Sequence, residues 1–329
     1  MGHHRHLTLE ERERIMLFLS EGRSITSIAE ETGRSKSTIS REIRRNSMKR
    51  LGYIACRAQE TYEKRRESCH RKRLADDPEV LRILRKKFAE HKWSPDQISG
   101  RLKLEKSGIS ISTTTIYRAI YGHRLDYEKP KDGAKGMVKL LRHKGKPRHR
   151  RGTEEKRGKI RISNPISARP PEAESRSRRG DWEADTVIGK QGKACAVTMV
   201  DRKSRFLVLA KSGRKTAEDV SAAMIGMMAG HEVLTITPDR GKEFASHEMI
   251  AESLDAQFYF PLPHHPWQRG TNENTNGLIR EYMPKGKDME DIPEEEFIRI
   301  QDELNHRPRK CLGYRTPYEV YYSKTLHLI

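Results

Sequence analysis

The spacing of apolar residues changes from one part of the chain to the next. Over residues 8–46 it is helical. Ile15, Leu17, Phe18 and Leu19 supply the apolar positions of a first helix, and Thr8 with Glu11 has the spacing of a capping box. "SITSIAEETG" predicts a short second helix with Ile25, Ile28 and Ala29 inward and Gly33 as its stop. "RSKSTISREIRRN" follows at once, with Ser35 placed as an N-cap. Ile39 and Ile43, four apart, face the core. Two short helices split by a tight glycine turn make a helix-turn-helix. Its second helix presents Ser37, Thr38, Arg41, Arg44 and Arg45 outward, the residue types that reach bases and phosphates in a major groove.

Residues 51–130 are helical and basic. Ser94, Pro95 and Gln97 form a start signal with N-cap, first-turn proline and capping box. Ile98, Leu102 and Leu104 continue as an apolar stripe. A further helix begins near Thr113 and carries Ile116, Tyr117, Ile120 and Tyr121. Thr113, Thr114, Thr115 and Arg118 then face outward, as in a second helix-turn-helix. A helical spacer or dimerisation unit is the competing reading. Residues 131–179 lose apolar periodicity and are rich in Lys, Arg, Gly, Ser and Pro. They read as a basic linker, poorly ordered without a polyanion, that either follows a phosphate backbone or serves as a plain tether.

From residue 180 the period shortens. "ADTVIG", "ACAVTMVD" and "RFLVLAKS" predict three strands in a meander. "TAEDVSAAMIGMMAG" is an amphipathic helix closed near Gly230. "EVLTIT" and "QFYF" are further strands, and a helix opens after Gly270 with Thr271 as its expected N-cap. Three strands, helix, strand, helix, strand, helix is the element order of an RNase H-like α/β fold. The expected organisation is therefore multidomain. A helix-turn-helix domain occupies 1–50, a second helical region 51–130, a basic linker 131–179 and an α/β catalytic domain 180–329.

Charge divides the chain in the same way. Residues 1–179 hold 46 Lys and Arg against 23 Asp and Glu, whereas residues 180–329 hold 20 against 23. The front half thus reads as a grip on a polyanion, since cations placed on phosphates release counterions. The back half, slightly acidic, has little reason to hold nucleic acid unless metal ions screen its carboxylates. Cys56, Cys69, Cys195 and Cys311 have no zinc-site spacing, which fits a reducing cytoplasm. No apolar run approaches the roughly 18 residues of a membrane helix, and "MGHHRHLTLEE" is not a signal peptide. His3, His4 and His6 read as a solvated terminus, not a metal site.

Three acids stand in distinctive settings: Asp185 in "RGDWEADTVIG", Asp239 in "LTITPDRGKEF" and Glu273 in "HHPWQRGTNENTNGLIR". Thirty-three residues separate the second from the third. Carboxylates from several chain segments are what two hard cations about 3.5–4 Å apart require. Asp181, Glu183 and Asp185 alternate and share one strand face. Asp185 leads into the apolar "TVIG" and is the preferred first ligand, with Asp181 as the alternative. Asn276 and Arg280 follow Glu273 at three and seven residues on one helix face, placing Arg280 to meet a phosphate. His264 and His265 suit phosphate contact or loop packing better than metal ligation, and Trp267 is expected to pack, with stacking on a base as the alternative.

These stretches resemble the transposases of the bacterial insertion-sequence-thirty family, within the DDE transposase and retroviral-type integrase superfamily. The resemblance runs nearly the whole chain through "HLTLEERERI", "GRSKSTISREIRRN", "WSPDQISGRL", "TTIYRAIY", "DWEADTVIG", "DRGKEF", "PWQRGTNENTNGLIREYMPKG" and "LNHRPRKCLGYRTPYEV". It implies Asp185, Asp239 and Glu273 as the catalytic, metal-binding triad and Arg280 as the basic residue following it. It further implies Mg²⁺ as cofactor, two ions with Mn²⁺ as a substitute. The partners it implies are the element's terminal inverted repeats and target DNA. Pairing two element ends predicts at least a dimer. The loop "PLPHHPWQRG" departs from the family's aromatic and serine residues there. A regulator with an idle catalytic domain and a nuclease that cuts without joining are the alternatives. The complete acidic set argues against the first, and strand joining separates the second.

Overall fold

The computed structural model describes residues 5–69, 74–128, 135–142, 161–190, 194–263 and 265–329. His3, His4 and His264 lie outside these residues, as do 131–134 and 143–160 of the expected linker. The chain divides into two compact units, Met1–Arg73 and Leu74–Ile329.

The front unit begins with helices α1 (Leu9–Ser20), α2 (Ile25–Thr32) and α3 (Lys36–Asn46). Their ends are written in local chemistry. Thr8 and Glu11 make the reciprocal capping box, Ser35 Oγ accepts from Thr38 N, and Gly33 closes α2 at a left-handed φ of 62°. A small hairpin of β1 (Ser47–Met48) and β2 (Gly52–Tyr53) then leads into α4 (Ala55–Ser68), which packs on α1. Ile15, Ile28, Ile39, Tyr53 and Ala58 fill the core. Beside them Arg12 is buried but fully engaged. Its Nε donates to Glu42 Oε1 at 2.9 Å, its Nη1 to Leu7 O at 2.7 Å and to Gln59, and its guanidinium lies over Tyr62. Tyr53 donates its hydroxyl to the same Glu42 oxygen. The expected boundary at residue 50 is therefore displaced. Tyr53 and Ala58 belong to the front core, Gln59 and Tyr62 meet the buried Arg12, and the division falls after residue 73.

The back unit opens with a 3-10 turn, Leu74–Asp76, and α5 (Pro78–Arg85), which runs on into a π-helical turn, Lys86–Glu90. Helices α6 (Pro95–Leu104) and α7 (Thr113–Tyr121) follow, then a 3-10 turn, Gly136–Leu140. Val80, Leu84, Trp93, Ile98, Leu102, Ile116 and Ile120 form their shared core. Leu104, placed on the apolar stripe by its spacing, is 44% exposed. This helical layer is not separate from the α/β part, as a region ending at 130 would be. Arg101 of α6 donates through both terminal nitrogens to Glu319, at 2.6 and 2.9 Å. Gln97 Nε2 donates to Pro308 O, and a Cβ on Gly100 would run into the ring of Tyr314.

Then come β3 (Asn164–Pro165), α8 (Pro171–Ser175), β4 (Asp181–Ile188), β5 (Cys195–Asp201), β6 (Leu207–Ser212), α9 (Ala217–Met227) and β7 (Thr235–Thr237). They are followed by α10 (His247–Leu254), β8 (Gln257–Phe260), α11 (Gly270–Ile279), α12 (Glu294–Asn305) and α13 (Pro317–Tyr322). Residues 161–179, expected to belong to the linker, are instead built in. Asn164 and Pro165 pair with β8, and Ala173 is buried against the Arg202 guanidinium.

Among the described residues the sheet has six strands in the order β3-β8-β7-β4-β5-β6. β4, β5 and β6 form the antiparallel meander, and β7 and β8 run parallel to β4. One face, with Trp182, Val197 and Met199, packs on Val220 and Met224 of α9 and Ile250 of α10. The other, with Val187, Ala196 and Leu209, packs on Leu278 of α11 and Phe297 and Ile300 of α12. This is the RNase H-like arrangement that the element order predicts. The edge strand β6 is not left bare. Asn305 exchanges two 2.8 Å hydrogen bonds with the Leu207 backbone, and Gln301 accepts from Leu209 N.

Candidate active site

The alternating acids of β4 all project from the sheet face that packs on α11, but they meet different fates. Asp181 is fully buried. It accepts from Thr235 Oγ1 at 2.7 Å and from Arg178 at 3.0 and 3.2 Å. Glu183 is also fully buried, paired with the buried Arg202 and accepting from Asn272 N at 2.9 Å. Asp185 alone of the three keeps an accessible side chain. Asp181, the alternative ligand, is thus committed to a structural hydrogen-bond set.

Asp239 follows β7 by two residues. β4 and β7 are parallel, with Asp181 opposite Thr235 and Glu183 opposite Thr237. Continuing that register brings Asp185 beside Asp239, where carboxyl ends of strands commonly form sites. One cation serves both acids. Arg269 Nη2 lies 2.9 Å from Asp185 Oδ2, and its Nη1 lies 4.0 Å from Asp239 Oδ2. Arg269 also donates to Ala184 O. Asp185 further accepts from Asn276 Nδ2 at 3.1 Å and from Thr186 N, while Asp239 Oδ1 accepts from Gly241 N. Burial pushes the Asp185 carboxyl above its ordinary range. The Asp239 charge acts in the same direction, and Arg269 opposes both.

Helix α11 carries the third acid. It starts at Gly270, so Thr271 is not its N-cap. Thr271 is buried within the first turn, where its Oγ1 accepts from Arg205 Nη1. The helix N-terminus is held by the Glu183 carboxylate from the neighbouring strand, which takes the place of a local cap. Asn276, one turn on, reaches Asp185. Glu273 lies between these anchors and is exposed. Among the described residues no three His, Cys, Asp or Glu side chains converge closely enough to hold a metal. Asp185 and Asp239 are brought together, and the exposed Glu273 does not join them in one cluster. The donors are oxygen alone, which suits a hard cation, and the guanidinium between the two aspartates shows that the spot accepts positive charge.

The remaining expected contacts are placed as follows. Ser37, Arg41, Arg44 and Arg45 are exposed on α3, while Thr38 is half-buried with its Oγ1 2.8 Å from Ser35 Oγ. On α7, Thr114 and Arg118 are exposed, and Thr115 Oγ1 lies 2.9 Å from Ser112 Oγ. Arg280 is half-buried and turned inward, donating to Ile188 O at 2.7 Å, and so is not presented to a phosphate in this conformation. His265 bonds Pro263 O within its own loop and lies against Trp267. Trp267, expected to pack, is 66% exposed. Sequence reasoning missed Arg269 and the anchoring role of Glu183. The signal for the first was a lone cation immediately before the α11 glycine.

A helix-turn-helix domain model matches residues 3–46. The transposase for insertion sequence element IS4351 of Bacteroides fragilis is 42% identical, over 96% of this chain and 95% of that protein. The transposase for IS1086 of Cupriavidus metallidurans is 37% identical, over 94% and 92%. Transposase InsI for IS30A of Escherichia coli is 38% identical, over 96% and 83%. The catalytic core domain of BIV integrase superposes with a TM-score of 0.35 at 20% identity, covering 44% of this chain and 94% of that one.

Proposed function

Because the chain belongs to the insertion-sequence transposase family that includes those of IS4351, IS1086 and IS30A, we propose the following division of labour. The front helix-turn-helix holds the element's terminal inverted repeats, and the acids of the back unit cut and join DNA strands. The observation that carries the second half is the pairing of Asp185, within β4, with Asp239, just past the end of the parallel neighbour β7, bridged by one arginine.

Asp185, Asp239 and Glu273 are the residues that would hold the metal. Two Mg²⁺ ions, with Mn²⁺ as a substitute, supply activation of the attacking oxygen and stabilisation of the leaving one when bound. The chain's own residues set the geometry. Glu183 and Asn276 tie α11 to β4, so the segment bearing Glu273 is fixed relative to Asp185. Gly241 N holds one oxygen of Asp239 and leaves the other directed to Arg269. In the first step water attacks a phosphodiester at the element's end. A phosphorus–oxygen bond forms as the bond to the 3′ oxygen breaks, and that oxygen leaves as a 3′-OH. In the second step the 3′-OH attacks a phosphodiester of the target, again exchanging one phosphorus–oxygen bond for another. No protein–DNA bond is needed.

The test uses a labelled duplex bearing the terminal repeat, a plasmid target and Mg²⁺, with wild type beside Asp239→Asn. Joined product from the wild type only, with duplex binding equal in both, is the expected result. Binding without cleavage in either protein would leave a regulator, and cleavage without joining a nuclease.

A further inference from the structure

A second recess lies in the back unit, away from the aspartate pair. It is a cleft of about 610 Å³ between the helical layer, the 136–142 segment, α11 and residues 307–311. Five cations line it: Lys92, Arg142, Arg307, Arg309 and Lys310. Among the described residues, Asp96 and Glu281 are the acids that oppose them. Glu281 Oε1 is buried without a hydrogen-bond partner. Glu281 Oε2 accepts from Arg307 Nη1 at 2.7 Å and its Oε1 lies 3.7 Å from Arg142 Nε, while Asp96 faces Lys310 at 3.9 Å.

Arg309 is the anomaly. It is 8% exposed, and among the described residues no carboxylate pairs with it. Nη2 donates to Leu304 O at 3.1 Å, and Nε is buried with no partner. Burial, helped by the neighbouring Arg307 charge, pushes its pKa down to about 9, which still leaves it charged at neutral pH. Glu281 acts on it through space without a direct contact, and a buried guanidinium with no directly paired carboxylate is costly, so this wall suits an anion.

The cleft is also lined by aromatic rings. Tyr117 and Tyr121, one turn apart on α7, have ring centroids 6.3 Å apart and planes within 20°. Tyr121 is 55% exposed and Leu140 is 46% exposed nearby. A flat ring platform beside guanidinium groups matches one nucleotide, with its base on a ring and its phosphate on arginine. The location also fits, since Asn274 lines the cleft and directly follows Glu273 on α11.

We propose that this cleft takes one unstacked nucleotide of a DNA single strand, its base against Tyr121 and its phosphate against Arg309. The proposal rests on the reading of the back unit as a DNA strand-transfer enzyme, but its test does not use strand transfer. The probe is a short single-stranded oligonucleotide carrying one 2-aminopurine, added to the full chain in the absence of divalent metal. The wild type should quench the fluorophore. Tyr121→Ala should abolish quenching and weaken single-strand binding about tenfold or more, while Tyr121→Phe keeps both and duplex affinity stays within about twofold. Arg309→Met should also weaken single-strand binding, yet raise the melting temperature of the DNA-free protein, because an unpaired buried charge is removed. A purely structural Arg309 would do the reverse. The cleft reading is overturned if Tyr121→Ala quenches and binds like wild type. Equal loss of single-strand and duplex binding overturns it as well, as does an Arg309→Met protein that melts lower and binds unchanged. Failure of the joining assay would count against the aspartate site and leave these outcomes unaffected.

Discussion

Arg269 Nη2 lies 2.9 Å from Asp185 Oδ2, within the same carboxylate pair proposed to hold metal. In a metal-free buffer this arginine screens Asp185 from Asp239. Arg269→Gln should then cost about 1–3 kcal/mol with chelator present, the pair being partly exposed. Mg²⁺ should restore much of that loss. Thermal unfolding with EDTA and with Mg²⁺ measures the difference, and calorimetric titration should show tighter Mg²⁺ binding to the variant. Equal melting in chelator and an unchanged metal affinity would remove Arg269 from this role.

Glu183 and Arg202 are both buried and neutralise one another. Arg202→Met alone should destabilise the back unit by about 3–5 kcal/mol, because it strands a buried carboxylate. Combining it with Glu183→Gln should recover most of that loss. Urea midpoints of the two single variants and the double variant give the coupling directly. Additive losses would mean that the two residues act independently.

Glu319 gives the back unit an acid-sensitive joint. Burial alone would raise its pKa. Hydrogen bonds from Arg101 and from the Thr316 and Leu326 backbone N–H groups outweigh that and hold it at about 2. An unfolded chain returns it to about 4.5. The unfolded state therefore binds this proton more readily. The stabilisation is complete above the ordinary carboxylate range and is lost as pH falls from about 4.5 towards 2, up to about 3 kcal/mol. Stability measured against pH should fall less steeply over that interval in Glu319→Gln, which starts lower. Parallel curves for the two proteins would rule the joint out.

On α3 the exposed arginines and the serine should separate in their effects. Arg44→Ala and Arg45→Ala should each weaken duplex binding and reduce the slope of log K against log salt by about 1. Ser37→Ala should alter preference among duplex sequences with the slope unchanged. Fluorescence anisotropy over a salt series distinguishes the two. A slope unmoved by either arginine would place α3 off the phosphate backbone.

What could be read in advance was local. Thr8 with Glu11, Ser94 with Gln97, and Gly33 act within one turn of chain, so their roles follow from spacing. The β-rich runs and their order sufficed for the sheet, because each strand's alternation is contained within it. Hidden features join distant residues or break the rule that charge lies outside. Arg12 and Arg101 look like solvent positions in any polar pattern, yet both are buried and satisfied by residues far along the chain. The linker reading failed over 161–179 for a related reason. Two residues, Asn164 and Pro165, suffice to extend a sheet edge, too few to show a period. At the candidate site, the expectation singled out Asp185 and Asp239 by their settings, and the structure places both beside Arg269. The turning of Arg280 onto Ile188 O and the bridging Arg269 depend on side-chain choices that no spacing encodes.

The Arg101–Glu319 pair also has a history in time. Its members are 218 residues apart. At about 5–20 residues per second, the ribosome separates their emergence by on the order of tens of seconds. The front unit draws its contacts from the first 73 residues and can close early. Helix α6 must wait, its arginine and the face around Gly100 uncovered while the sheet is still being made. A nascent chain of this protein is therefore native in its first unit and a client over the rest, and it is during that interval that chaperones would meet it.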